Sequence, residues 1–145
     1  MTTKVSTVLE HKGHHVVTVA PHQTVASVAK LLTLNRIGAA PVIDEESRLV
    51  GIISERDIIR GMSEHGDAVL TLAAEQLMTR EVMTCSPADL IVEIMQVMTV
   101  QRIRHLPVVQ NGALHGIISI GDVMKQRLDE AQSEVEALRS YICSS

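Results

Sequence analysis

Two short polar segments carry the groups best suited to chemistry: Ser54-Glu55-Arg56-Asp57 and, 65 residues on, Ser119-Ile120-Gly121-Asp122. In each, a hydroxyl precedes a carboxylate by three positions at what reads as a helix start. Such a start offers unpaired N–H donors and the positive end of the helix dipole, so a phosphate can dock there with the Ser hydroxyl adding a hydrogen bond. The carboxylate can accept from both hydroxyls of a ribose, as acidic residues do in dinucleotide folds. The same spacing is that of a capping box, in which these side chains satisfy the helix's own amides. On these residues alone both readings stand.

Catalysis has less to stand on. The chain contains no Walker A, GxSxG, HExxH or dinucleotide fingerprint, the sequence forms that the common catalytic sites require. With no nucleophile or oxyanion arrangement visible beside Asp57 or Asp122, the expectation is a protein that is not an enzyme. His14-His15 lacks the four-ligand set of structural zinc and reads as a surface pair, so no metal is expected. The methionines fall at helical core spacings and read as packing. Cys85, at an apolar strand end, reads as buried filler and not as a nucleophile. With Cys143 it completes the cysteine count, a usage that fits a reducing, cytoplasmic setting.

Composition narrows the partners. Hydrophobic residues make up 46% of the 145 and charged residues 21%, enough to bury a core. Thirteen Lys and Arg against seventeen Asp and Glu leave a net charge of -4, without the basic excess that draws proteins to nucleic acid or anionic lipid. Phe and Trp are absent and Tyr141 is the single aromatic residue, so a planar ligand must lie between aliphatic side chains. No run of about 18 apolar residues occurs and the first ten residues do not resemble a signal peptide, so no membrane segment is expected.

The elements that must position the two polar segments occur twice. Pro21 followed by Val25, Val28, Ala29 and Leu32 returns as Pro87 followed by Ile91, Ile94, Met95 and Met98, each one face of an amphipathic helix. Ile37, Pro41, Val42 and Ile43 return 66 residues later as Ile103, Pro107, Val108 and Val109, short apolar strands with proline at an edge or start. Hairpins to Leu49-Val50-Gly51-Ile52-Ile53 and Leu114-His115-Gly116-Ile117-Ile118 follow, the second through Asn111-Gly112, a strong tight-turn signal. Each unit is therefore expected as strand, helix, strand, strand, helix. The expected division is an N-terminal arm over 1–15, a first unit over 16–60, a linker over 61–80, a second unit over 81–127 and a helical tail over 128–145. Units this small share a core for stability. In the tail Leu128, Ala131, Val135, Leu138 and Ile142 alternate in spacings of three and four. That is a heptad seam, suited to packing back on the core or, the expectation favoured, to a second copy in a homodimer.

Taken together, the repeats resemble a pair of CBS domains, the tandem called a Bateman module, over Val16 to Arg60 and Val82 to Arg127, and the chain looks like the small bacterial and archaeal members consisting of little else. The resemblance implies an α+β fold of two pseudo-symmetric βαββα units packed through their sheets, plus here a C-terminal helix. It implies a regulatory module that binds an adenosine-containing ligand, such as AMP, ADP, ATP, NAD or S-adenosylmethionine, in clefts between the units and modulates a partner protein. Family contacts to ribose and phosphate match Ser54, Asp57, Ser119 and Asp122. Contacts to the adenine match Ile37-Gly38-Ala39-Ala40-Pro41 and Ile103-Arg104-His105-Leu106-Pro107, together with the openings Thr18, Val19 and Pro21, then Thr84, Cys85 and Pro87. Gly38, Ala39 and Ala40 are small enough for a base to reach backbone, and equally suited to close packing of helix on sheet. Arg56 stands at the first helix start, whereas the second has Gly121 there and gains Arg104 and His105 on the opposite lip. Both sites are therefore expected to take a nucleotide with different phosphate preferences. Arg36 and Arg102 read as further phosphate contacts or as helix C-terminal charges. The competing reading is an interaction scaffold with unused clefts that dimerises through its tail.

Overall fold

A computed structural model describes residues 2–144. The order is α1 (Val5–Lys12), α2 (Val25–Asn35), β1 (Ala39–Ile43), β2 (Leu49–Ser54), α3 (Glu55–His65), a 3₁₀ helix (Gly66–Thr71), α4 (Ala74–Leu77), α5 (Ile91–Gln101), β3 (His105–Gln110), β4 (Ala113–Ser119) and α6 (Ile120–Cys143). β1 pairs antiparallel with β2 and β3 with β4, giving two two-stranded sheets. The α+β fold with a C-terminal helix is as expected.

Each element has a local cause. Thr24 caps α2 by accepting from the Ser27 amide at 3.2 Å. Both α2 and α5 end at an arginine in the left-handed region, Arg36 at φ 54° and Arg102 at φ 56°. The chain reverses there without glycine, at the corresponding position of each unit. Asn111 and Gly112 take φ of 54° and 79°, the two positive angles that a tight hairpin needs.

One expected element is reduced. The opening strand of each unit is a single parallel bridge, Val19 with Val42 and Cys85 with Val108. Val19 donates to Pro41 O at 2.9 Å and accepts from Ile43 at 3.0 Å, and Cys85 does the same with Pro107 and Val109. The ladder extends no further because Pro21 and Pro87, two residues on, have no amide proton to donate.

The expected arm and linker are core elements. Val5, Val8 and Leu9 of α1 are buried with Cys85, Ile91 and Leu106 in the core of the second unit. Val69, Ala74, Leu77 and Met78, from the expected linker, are buried with Val25, Val42 and Ile53 in the core of the first. Backbone bonds repeat the exchange: Val5 N to Asp89 O and Ile91 N to Thr3 O on one side, Ala74 N to Gln23 O and Val25 N to Leu72 O on the other, all between 2.8 and 2.9 Å. Each unit thus borrows its last helix from the segment ahead of the other unit. Two apolar faces too short to bury themselves are covered in this way, α1 crossing to the second unit and α4 packing back on the first.

α6 starts in the second core through Val123 and then leaves it. Leu128, Val135, Leu138 and Ile142 are exposed, so the seam does not fold back on its own chain.

Candidate functional site

Both capping boxes are formed. Ser54 Oγ accepts from the Asp57 amide at 3.2 Å while Asp57 Oδ2 accepts from the Ser54 amide at 3.0 Å. Ser119 and Asp122 repeat this at 3.1 and 2.8 Å. The capping role is therefore real, and it commits one carboxylate oxygen at each site. At each start the first amide is also taken, Glu55 N by Gly38 O at 2.9 Å and Ile120 N by Arg104 O at 2.8 Å. The Arg56 and Gly121 amides are left as first-turn donors without a partner among the described residues, at the positive end of their helices.

The two aspartates differ in their remaining contacts. Asp57 is 4% exposed. Its Oδ1 accepts from Arg60 at 2.7 Å and from Thr79 Oγ1 at 3.4 Å. Asp122 instead receives Lys12 Nζ, from α1, on Oδ2 at 2.6 Å. Burial works to raise the Asp122 carboxyl, but the Lys12 hydrogen bond and those from Ser119 outweigh it and hold the group below the usual carboxylate range.

A cleft of about 410 Å³ lies between the units. Its first wall is Gly38, Ala39, Ser54, Arg56 and Asp57, and its second is Arg102, Ile103, Arg104 and His105, with Glu81, Val82 and Met83 from the opening of the expected second unit also lining it. Four arginines, Arg56, Arg60, Arg102 and Arg104, meet three carboxylates, Glu55, Asp57 and Glu81. The guanidinium groups give it the fork-shaped donors that suit phosphate. Gly38 keeps one floor low: a Cβ there would lie 3.7 Å from Glu55 Oε2 and 3.8 Å from His105 Cε1. Ordinary contact is available at that distance, so protein packing does not itself demand glycine at this position.

A second groove runs along Arg36, Ile37, Gly38, Arg104, His105, Ser119 and Gly121. His105 sits between the two. Burial lowers its pKa first and the Lys12 charge lowers it further; Asp122 opposes, Arg104 lowers it again and Glu55 opposes.

Several expected site residues lie elsewhere. Thr18, Val19, Pro21, Ala40 and Pro41, with Thr84, Cys85, Pro87, Leu106 and Pro107, line neither cleft. Val19, Ala40, Cys85 and Leu106 are core residues, and burial with the nearby Asp89 charge pushes the Cys85 thiol up to about 12. Arg56 and Arg104, expected at different sites, face the same cleft. The lip ahead of β3 opposes the helix start after β2, so each cleft is built from both units. Asp122 lines neither cleft, its place being covered by Lys12. Lys12, Thr79 and Glu81 were not legible, because their role depends on where α1 and α4 pack; Arg60, three residues past Asp57 on α3, carried a helical i,i+3 charge-pair signal that could have found it. Among the described residues no cluster of three or more His, Cys, Asp or Glu side chains could hold a metal.

A module of two like units that exchange helices and enclose an arginine-lined cleft is a defined class. The CBS domain family matches residues 1–64 and 74–129, and the chain belongs to it. Among its relatives is the mitochondrial CBS domain-containing protein CBSX3 of Arabidopsis thaliana, 35% identical over 82% of this chain. The chain spans 60% of that protein's length. A CBS-domain containing protein from Agrobacterium tumefaciens superposes with a TM-score of 0.83 at 40% identity, covering 88% of this chain and 95% of that one. The fold is shared by the CBS domain pair of MJ0100, solved with 5'-methylthioadenosine and S-adenosyl-L-methionine, at TM-score 0.79 and 24% identity over 90% of this chain and 99% of that one. It is shared also by CBSX2, solved with AMP, at TM-score 0.76 and 23% identity over 88% and 98%.

Proposed function

We propose that this chain is a non-catalytic regulatory module that binds an adenosine-containing ligand (AMP, ADP, ATP or NAD) in the cleft between its units and passes occupancy to a partner protein. The observation that carries this is the convergence on one cleft of the Arg56 amide at a helix start, the Asp57 carboxylate and the guanidinium groups of Arg56, Arg102 and Arg104. Sugar and phosphate are addressed together, while Ile52, Val82 and Ile103 supply the apolar walls that an adenine needs in a site without aromatic residues. A ribose reaches Asp57 by displacing Arg60, which is 54% exposed and can rotate outward toward a phosphate. The adenosine ligands of the two related folds support the same class.

Signalling requires that the ligand favour one arrangement of the units over another. The exchanged helices supply a coupling, since a shift of one unit moves a helix buried in the other. The module works as a homodimer in the cytoplasm, joined through α6. With Leu128, Val135 and Ile142 at a positions and Ala131 and Leu138 at d, Glu134 and Arg139 fall at g and e, so a parallel pair sets Glu134 of each copy beside Arg139 of the other. That exposed seam also favours the second reading, a scaffold whose clefts stay unused.

A thermal-shift panel of AMP, ADP, ATP, NAD and S-adenosylmethionine separates the two. A ligand at 100 times its Kd adds about 2.7 kcal/mol, and the shift is expected to fall in Asp57→Asn. No shift with any of the five refutes the sensor and leaves the scaffold.

A further inference from the structure

The two clefts are framed by corresponding segments of the two units, and one corresponding pair at their edges carries opposite charges. Contacts of the exchanged segments correspond at an offset of 69, Val5 with Ala74 and Ser6 with Glu75, as their backbone bonds to Asp89 and Pro87 or to Gln23 and Pro21 show. By that offset the counterpart of Glu81, at the rim of the open cleft, is Lys12.

The cause is helix length. α4 ends at Leu77, so Thr79 extends along β2 and exchanges backbone bonds with Ile52 at 2.8 and 3.0 Å, leaving Glu81 at the rim. α1 continues to Lys12. Instead of a backbone pairing, the Lys12 ammonium reaches over the second helix start, donating to Ile117 O at 2.8 Å and to Asp122 Oδ2 at 2.6 Å. Lys12 and Asp122 are 32% and 24% exposed at their side chains, a half-buried pair that solvent screens only in part. The ammonium therefore neutralises the carboxylate that a sugar would need as its acceptor. The groove remaining there reaches Ser119 and Gly121 but not Asp122.

We infer that Lys12 is the specificity-determining residue of the second cleft: it excludes a nucleoside from Asp122, so that the chain takes one adenosine ligand, in the first cleft, and not two. This rests on the adenosine-binding reading of the first cleft and departs from the expectation that both sites accept a nucleotide. The equivalent contact on Asp57 comes from Arg60 of the same helix, whose long exposed side chain can turn away, whereas Lys12 is anchored by α1 and by a second acceptor, Ile117 O.

The experiment is calorimetric titration of the full chain with AMP and separately with ATP. Wild type and Lys12→Arg are expected to bind one nucleotide per chain, and Lys12→Met two. Adding Asp57→Asn should abolish binding in wild type and leave one site in the Lys12→Met background. Lys12→Gln serves as the second neutral variant if Lys12→Met does not fold. Two sites in wild type, an unchanged single site in both neutral variants, or weaker binding in them would each overturn the inference, the last by making Lys12 a ligand contact. Absence of heat from wild type and every variant would overturn it together with the adenosine reading, an outcome distinct from those three.

Discussion

The exchange of helices can be tested at one contact. Leu9 is 1% exposed in the second core, and a Cβ placed on Gly116 would stand 2.9 Å from its Cδ2 and 3.3 Å from its Cδ1. Truncating Leu9→Ala removes a buried side chain at a cost of about 2–5 kcal/mol. At ~2–4 °C per kcal/mol for a chain near this size, the melting temperature should fall by about 4–20 °C. Were residues 1–15 an arm, the change would stay within about 0.5 kcal/mol, as for an exposed site. Gly116→Ala alone crowds the tip of Leu9, at about 1 kcal/mol. Combined with Leu9→Ala, its methyl enters the vacated space, so the double variant should be more stable than the sum of the singles by roughly 0.5–3 kcal/mol. The matching position in the first unit, Gly51, meets Met78 and also the Thr79 carbonyl at 2.9 Å. Backbone cannot yield as a leucine tip does, so Gly51→Ala should cost more than Gly116→Ala and should not be rescued by Met78→Ala. Urea denaturation of these variants measures the free-energy changes, and thermal melting of Leu9→Ala the shift in temperature. Additivity of Leu9→Ala and Gly116→Ala within about 0.5 kcal/mol would refute the packing of α1 on the second unit.

Two further outcomes follow from the site and the tail. Because the His105 pKa is lowered in the fold by burial and by the Lys12 and Arg104 charges against Asp122 and Glu55, the unfolded chain binds its proton more readily. Stability should then rise with pH up to about 6.5, the unfolded value, and fall below it; a His105→Gln variant whose acid limb has the same slope as wild type would contradict this. In the tail, Glu134→Arg should set like charges side by side and shift the sedimentation mass from twice 15.8 kDa toward 15.8 kDa, with Arg139→Glu restoring the dimer in the double variant; a monomeric wild type would exclude the seam as a self-contact.

Periodicity and punctuation alone determined the duplicated units, their hairpins and the polar helix starts, because those features depend on neighbours within a few residues. The apolar faces of α2 and α5, the Asn111-Gly112 turn and the Ser54 and Ser119 caps are all of this kind. Which Arg faces which helix start was decided by tertiary structure. Arg56 and Arg104 share a cleft because the lip ahead of β3 opposes the helix start after β2; Lys12 covers Asp122, and the arm and linker became core, because α1 and α4 bury their apolar faces on the unit that does not follow them. A sequence records that such a face exists; which of two nearly equivalent surfaces covers it is set only when the whole chain has packed.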